Sequence, residues 1–306
     1  MDIMLSELIG DESVVAMLGM CKNAGKTTAL NRLIREYADI NKNIAVTSIG
    51  RDGESIDLVT GTSKPRIYIH EGTLVATAAD LLRYTDVTRE ILDVTDIMTP
   101  LGKVVVFMAK SGGYVQLAGP SIVSEMNRLR NQLQNYGAET VLIDGAINRR
   151  TPASGAIDGA CVLSTGASLN PDMDTVISET KYICELLTLP QSPTITNDLS
   201  HTETSEIAIS GAFTDSMAKA MLQNGTLLDD SIITLEDATK IMLSRETYNR
   251  LRSRHISFHV NRNTKLAAIT INPVSAGGWQ FDANAFLEEM QKTTPIPVIN
   301  VMNEKL

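Results

Sequence analysis

The stretch from Ser13 to Leu33, SVVAMLGMCKNAGKTTALNRL, limits what this chain can fold into more than any other. A short apolar run, Val14 to Leu18, enters a loop bracketed by Gly19 and Gly25. The loop leaves through Lys26, Thr27 and Thr28 into a segment with apolar residues at Leu30, Leu33 and Ile34. That order predicts strand, loop and helix, the context in which a glycine-containing loop can cradle phosphate. Gly25 lets the backbone come close to an anion. The N–H groups of Lys22, Asn23, Ala24 and the helix start would point at it, and the helix dipole adds favourable charge. Lys26 is the expected partner of the β- and γ-phosphates, and the Thr27 hydroxyl is an expected ligand of Mg²⁺. Met20 takes the usual position of the first glycine, so the spacing is Gly-x5-Gly-Lys-Thr.

A second signal lies at Thr140-Val-Leu-Ile-Asp144-Gly145, a hydrophobic strand ending in a carboxylate. Downstream of a phosphate loop this is the arrangement in which Asp144 holds the water shell of Mg²⁺ and the following glycine leaves room for the γ-phosphate. Between the two signals, Ile44 to Ile49 reads as a strand rich in β-branched residues and runs into Gly50-Arg51-Asp52-Gly53-Glu54. Ligands of open α/β sheets bind beyond the carboxyl ends of the strands, so Asp52 is expected to reach the metal or its water. Arg66 to His70 reads as another strand, with Glu71 just past its end as a further metal or water-positioning candidate, then a helix through Leu81 and Leu82. The apolar run KVVVFM (Lys103 to Met108) predicts a strand covered on both faces. Lys110-Ser-Gly-Gly113 after it is a candidate second anion nest, or an exposed turn.

Alternation of strand and helix patterns continues to about Leu187. Two prolines and small polar residues at Leu189 to Ser200 then read as a linker. The expected organisation is a mostly parallel α/β nucleotide-binding domain over residues 1–190 and a second, smaller α/β domain over residues 193–306. The latter carries no phosphate loop, and a partner-binding or regulatory role is expected of it. The formal net charge of −9 argues against a broad basic surface for nucleic acid or anionic membrane. No run approaches the roughly 18 apolar residues of a membrane-spanning helix. Cys21, Cys161 and Cys184 are widely spaced, the acidic N-terminus lacks a basic leader region, and the cytoplasm is the expected compartment.

GMCKNAGKTT together with VLIDGA resembles the P-loop NTPase class that includes dethiobiotin synthetase and the MinD-like ATPases. The likeness covers about residues 13 to 188. It implies ATP and Mg²⁺ as cofactors, catalytic roles for Lys26, Asp52 and Asp144, and a homodimer as one assembly. Lys22 sits four residues before Lys26, whereas MinD-like proteins place their signature lysine five before. The phrases GMCKNAGKTT, TSIGRDGE and VLIDGAINR also resemble the reactivating ATPases of adenosylcobalamin-dependent aminomutases. That resemblance implies ATP-driven release of damaged cobalamin, with an aminomutase or a MutS-like subunit as partner. The other expectation is a dethiobiotin-synthetase-like ligase or kinase acting on a small molecule. The absence of an Asn-Lys-x-Asp guanine signature leans towards ATP over GTP.

Overall fold

A computed structural model describes residues 3–50, 66–145, 159–192 and 206–302. Asp52 therefore lies outside the described residues. In chain order the first elements are α1 (Leu5–Ile9), β1 (Val14–Gly19), α2 (Lys26–Asp39), β2 (Ile44–Ile49), β3 (Ile67–Ile69) and β4 (Leu74–Ala78). They are followed by β5 (Arg89–Thr99), β6 (Gly102–Ala109), β7 (Gly113–Val115), α3 (Val123–Asn135), β8 (Thr140–Gly145), β9 (Ala160–Gly166) and α4 (Met173–Leu187). The remainder comprises β10 (Glu206–Ile209), β11 (Phe213–Thr214), α5 (Asp215–Gln223), β12 (Ile232–Leu235), β13 (Ile241–Met242) and α6 (Arg245–Arg252). Last come β14 (Ser257–Val260), β15 (Lys265–Asn272), α7 (Ala283–Lys292) and β16 (Val298–Asn300).

The fold is α/β, built on a nine-stranded sheet in the order β16-β15-β9-β1-β8-β2-β4-β6-β5. The strands from β16 to β4 run parallel, and the β6–β5 hairpin closes one end antiparallel. Strands β1, β8 and β9 are buried along their whole length, as unbroken apolar runs must be when helices cover both faces. Alternate residues serve two separate cores. Ala16, Leu18, Val141 and Ile143 join Met126, Leu129 and Leu133 of α3, whereas Val15, Met17, Val46 and Leu142 join Leu30, Leu33, Ile34 and Tyr37 of α2. Leu30 and Leu33 are fully buried, and truncating either to Ala costs about 2–5 kcal/mol. Between β1 and β2 the chain moves outward one way, and from β8 to β9 it crosses to the other side of β1. The carboxyl end of β1 is thus a topological switch point, where such sheets bind ligands.

The strands do not divide at residue 190. β10, β12 and β14 form a small parallel sheet with its own core of Phe213, Ile233, Tyr248, Leu251 and Phe258. β15 and β16, by contrast, return to the main sheet beside β9. Their apolar runs read the same as any buried strand, and only the pairing with β9 decides where they go.

Two local expectations need correcting. The segment after Glu71 is not a helix through Leu82 but strand β4 followed by a 3-10 turn over Ala79–Tyr84. Leu74 to Ala78 are all buried between β2 and β6, and the packing of Val75 and Thr77 overrides local helical preference. The strand before Glu71 lies outside the main sheet: among the described residues β3 pairs with β7, as a short antiparallel ribbon.

Candidate functional site

The site forms where β1 ends. Met20 N donates to Ser164 O of β9 at 2.8 Å, which ties the start of the loop to the neighbouring strand. Gly19 lies under the Lys26 stem, where an added Cβ would stand 3.7 Å from the lysine side chain, an ordinary contact. Lys22 is exposed at the loop, Ala24 is buried, and Asn23 takes a left-handed conformation at φ 63°, which Asn tolerates better than most residues. Gly25 follows at φ 95° and stands at the N-cap of α2. A side chain there would be strained by its backbone angle and would also press within 3.2 Å of the Asn272 Cβ.

No side chain caps α2, and its first turn holds no acid. Asp172, Thr214, Ser244 and Asp282 do cap α4, α5, α6 and α7. The start of α2 thus presents backbone N–H groups and the positive end of a 14-residue helix dipole, with Lys26, Thr27 and Thr28 in its first turn. All three residues are partly accessible.

Strand β8 delivers Asp144 to this point. It pairs in register with β1 on one side (Met17 opposite Asp144) and with β2 on the other (Ser48 opposite Asp144). The Lys26 ammonium reaches across to Asp144 Oδ1 at 2.8 Å and donates to Gly145 O at 2.7 Å. Both partners of this ion pair are largely buried, at 14% and 5% side-chain exposure. The two sequence signals, about 120 residues apart, therefore meet in one place, the juxtaposition expected of a phosphate loop and a carboxylate strand. Thr27 adjoins Lys26, and Thr28 the next position of the same turn.

Glu71 does not join them. It is exposed in a turn closed by Thr73 N donating to His70 O, immediately before β4 begins. Because β4 runs parallel to β2, its start lies at the amino edge of the sheet, a strand length away from Asp144. The reason is topological: β3 is not a member of the sheet whose carboxyl ends carry the site. Lys110 is at that far edge too, since β6 runs antiparallel, and its ammonium pairs with Glu90 at 2.6 Å.

Two residues belong to the site that sequence reasoning did not single out. Asn272, at the end of β15, donates through Nδ2 to Asn23 O at 3.0 Å, while its own Oδ1 accepts from Val274 N at 3.0 Å. Asn272 O also accepts from Ala167 N at 2.9 Å, and a Cβ at Gly166 would meet that oxygen at 2.3 Å. The chain's last strands thus brace the loop between β1 and α2. Asn272-Pro273 reads locally as a turn, so no short-range signal could have found it. The other residue is Ser48, fully buried beside Asp144. Over it the Gly119–Pro120 segment closes, with Gly119 packed on Ser48 O and Gly50 N donating to Pro120 O at 3.1 Å.

The oxygen atoms offered nearby are hard ones, the Asp144 carboxylate and, next to Lys26 in the first turn of α2, the Thr27 hydroxyl, while the backbone N–H groups suit an anion. Among the described residues no three His, Cys, Asp or Glu side chains converge as a metal cage. One carboxylate and one hydroxyl suit Mg²⁺, which keeps several waters and takes its other oxygens from phosphates. Among the described residues no helix is long and apolar enough to cross a membrane. Neither a scan against models of protein families nor a search of curated proteins finds a match to this chain.

Proposed function

We propose that this chain is a P-loop nucleotide-binding protein that binds and hydrolyses ATP with Mg²⁺. Within that class we read it as an ATPase that reactivates or remodels a partner enzyme, the partner being an adenosylcobalamin-dependent aminomutase or its MutS-like companion. The observation that carries the class is the contact of Lys26 with Asp144 at 2.8 Å, at the carboxyl end of adjacent parallel strands and beside an uncapped helix start. Lys26 stabilises charge on the transferring phosphoryl group, the loop amides orient the phosphates, and Thr27 and Asp144 are the residues that would hold the metal. When bound, Mg²⁺ supplies charge neutralisation at the phosphate oxygens. Asp52 keeps its proposed role in positioning water, as a sequence-based assignment.

The partner reading is supported by exposed Val274, Trp279 and Met302, which follow the ends of β15 and β16 and share an edge with the phosphate loop. Val301 itself stands 3.8 Å from where a Gly25 Cβ would be. The small sheet of β10, β12 and β14 is read as the core of a second unit that contacts the partner. The ligase or kinase reading has less support, because Lys110, its expected substrate anchor, is engaged by Glu90 at the opposite edge.

The test is ATP hydrolysis by the purified chain with and without Mg²⁺, alongside Lys26→Ala. Loss of turnover in the variant is expected, and full turnover would remove the catalytic assignment. For the partner, a cobalamin-inactivated aminomutase should regain activity when the chain and ATP are added; recovery without ATP would overturn the reactivase reading.

A further inference from the structure

Asn224-Gly225 is the only Asn-Gly step in the sequence. It follows α5, where Asn224 stands at the C-cap with its N–H donating to Ala220 O at 3.0 Å. Asn224, Gly225 and Thr226 are all exposed. Gly225 takes the left-handed conformation at φ 74°, and a Cβ built on it would meet nothing within 4 Å. Its amide therefore has no side chain of its own and no neighbour to crowd it. The Gly225 N–H is given to no acceptor among the described residues. The Asn224 side chain closes an Asx turn, its Oδ1 accepting from Thr226 N at 3.0 Å. That bond folds the side-chain amide back over the main chain that follows it and polarises its carbonyl.

We propose that Asn224 is a modification site, deamidated spontaneously through attack by the Gly225 amide. It stands apart from the nucleotide reading. The Gly225 nitrogen gives up its proton to water and forms a bond to Asn224 Cγ. The Cγ–Nδ2 bond then breaks, and Nδ2 leaves as ammonia, the proton returning to it through water. Water opens the resulting cyclic imide at either carbonyl. The products are aspartate at position 224 and its isoaspartate isomer, in which the main chain runs through Cγ. Water is the only reagent consumed. While Cγ is tetrahedral its oxygen carries negative charge, and the Thr226 N–H already points at that oxygen. Either product sets a carboxylate at the C-terminal end of α5, where the helix dipole disfavours it. The isoaspartate also adds a CH₂ to the main chain ahead of Leu227, which is 1% exposed in the core of the small sheet and whose N–H donates to Met221 O at 3.0 Å. That extra length must shift either the α5 cap or Leu227. The new charge also falls on a surface that carries exposed Met217 and Leu228.

The experiment incubates the full chain in heavy-oxygen water at mildly alkaline pH, beside a synthetic peptide of residues 215–230, and maps both by mass spectrometry. Heavy oxygen should enter at position 224 of the folded chain at a rate within about tenfold of the free peptide's, as aspartate and isoaspartate together. It should enter there at least about tenfold faster than at Asn41, Asn131 or Asn249, which are exposed too but precede residues with side chains. Gly225→Ala should slow the conversion. Because φ 74° strains an alanine, Asn224→Gln serves as the second variant: its amide lies one carbon further from the attacking nitrogen, and position 224 should stay unlabelled. A folded-chain rate more than about tenfold below the peptide's would mean that the fold guards this step, and would overturn the proposal. So would Asn41, Asn131 or Asn249 converting as fast as Asn224.

Discussion

Removing the Lys26 ammonium from the ligand-free protein should cost far more stability than its partial exposure suggests. At 2.8 Å from Asp144 Oδ1 and an effective dielectric of 20, the gross attraction is about 6 kcal/mol. Desolvation of two largely buried groups offsets part of this, leaving a net coupling of about 2–3 kcal/mol. Lys26→Met keeps the apolar stem but takes the Lys26 counter-charge from the buried Asp144 carboxylate, a loss of about 3–5 kcal/mol. Asp144→Asn costs less, about 1–2 kcal/mol, because Lys26 still donates to Gly145 O at 2.7 Å and can tilt towards water. The double variant should then be more stable than the sum of the single losses predicts. Urea denaturation of all four proteins, without nucleotide or Mg²⁺, reads this coupling directly. Additive losses within about 0.5 kcal/mol would refute the buried pair as a stabilising contact. A confirmed coupling would mean that part of the binding energy of a triphosphate goes into opening it.

Three further outcomes are expected. Asn272→Ala removes the bond to Asn23 O, worth about 0.5–1.5 kcal/mol, and should weaken ATP binding about 2–10-fold by loosening the loop; an unchanged ATP affinity in calorimetry would dissociate β15 from the site. Among the cysteines, burial pushes the Cys184 thiol up to about 12 and raises that of Cys161 as well, while Cys21 is partly exposed in the loop between β1 and α2. A thiol-alkylating reagent near neutral pH should therefore modify Cys21, and Mg²⁺ with ATP should slow it; mass-spectrometric mapping of the label to Cys161 or Cys184 would contradict the packing. Hydrogen bonds from the Thr175 hydroxyl and then its amide hold the Asp172 carboxyl below its ordinary 3.8. The folded pKa is the lower one, so the carboxylate's contribution is present above the unfolded pKa and lost as pH falls through the folded value. The melting temperature of Asp172→Asn should accordingly draw closer to that of the parent as pH falls below the carboxyl's ordinary 3.8, and a gap unchanged across that fall would argue against the charged cap.

Several features of the site were legible because their signals are local. Gly25-Lys26-Thr27 is a contiguous phrase whose backbone needs, a left-handed glycine and an open helix start, are met within a few residues. Val141 to Asp144 carries its own signature, an apolar run that ends in a carboxylate. Glu71 misled because the rule about carboxyl ends holds only for strands of one sheet, and β3 is in another. Lys110 misled for a related reason: its strand runs the other way. The helix expected before Leu82 failed where packing between β2 and β6 outweighed local preference.

Taken alone, the residue order determined an α/β chain with buried parallel strands, a glycine-bracketed loop between β1 and α2, and a strand ending in a carboxylate. Only the tertiary structure decided that β8 inserts between β1 and β2, which brings Asp144 to Lys26 and Ser48 to Asp144. It also decided that β15 joins β9 in the main sheet, where Asn272 braces Asn23. Strand order and direction are set by long-range pairing, and a buried strand's sequence says that it is covered without saying which neighbour covers it.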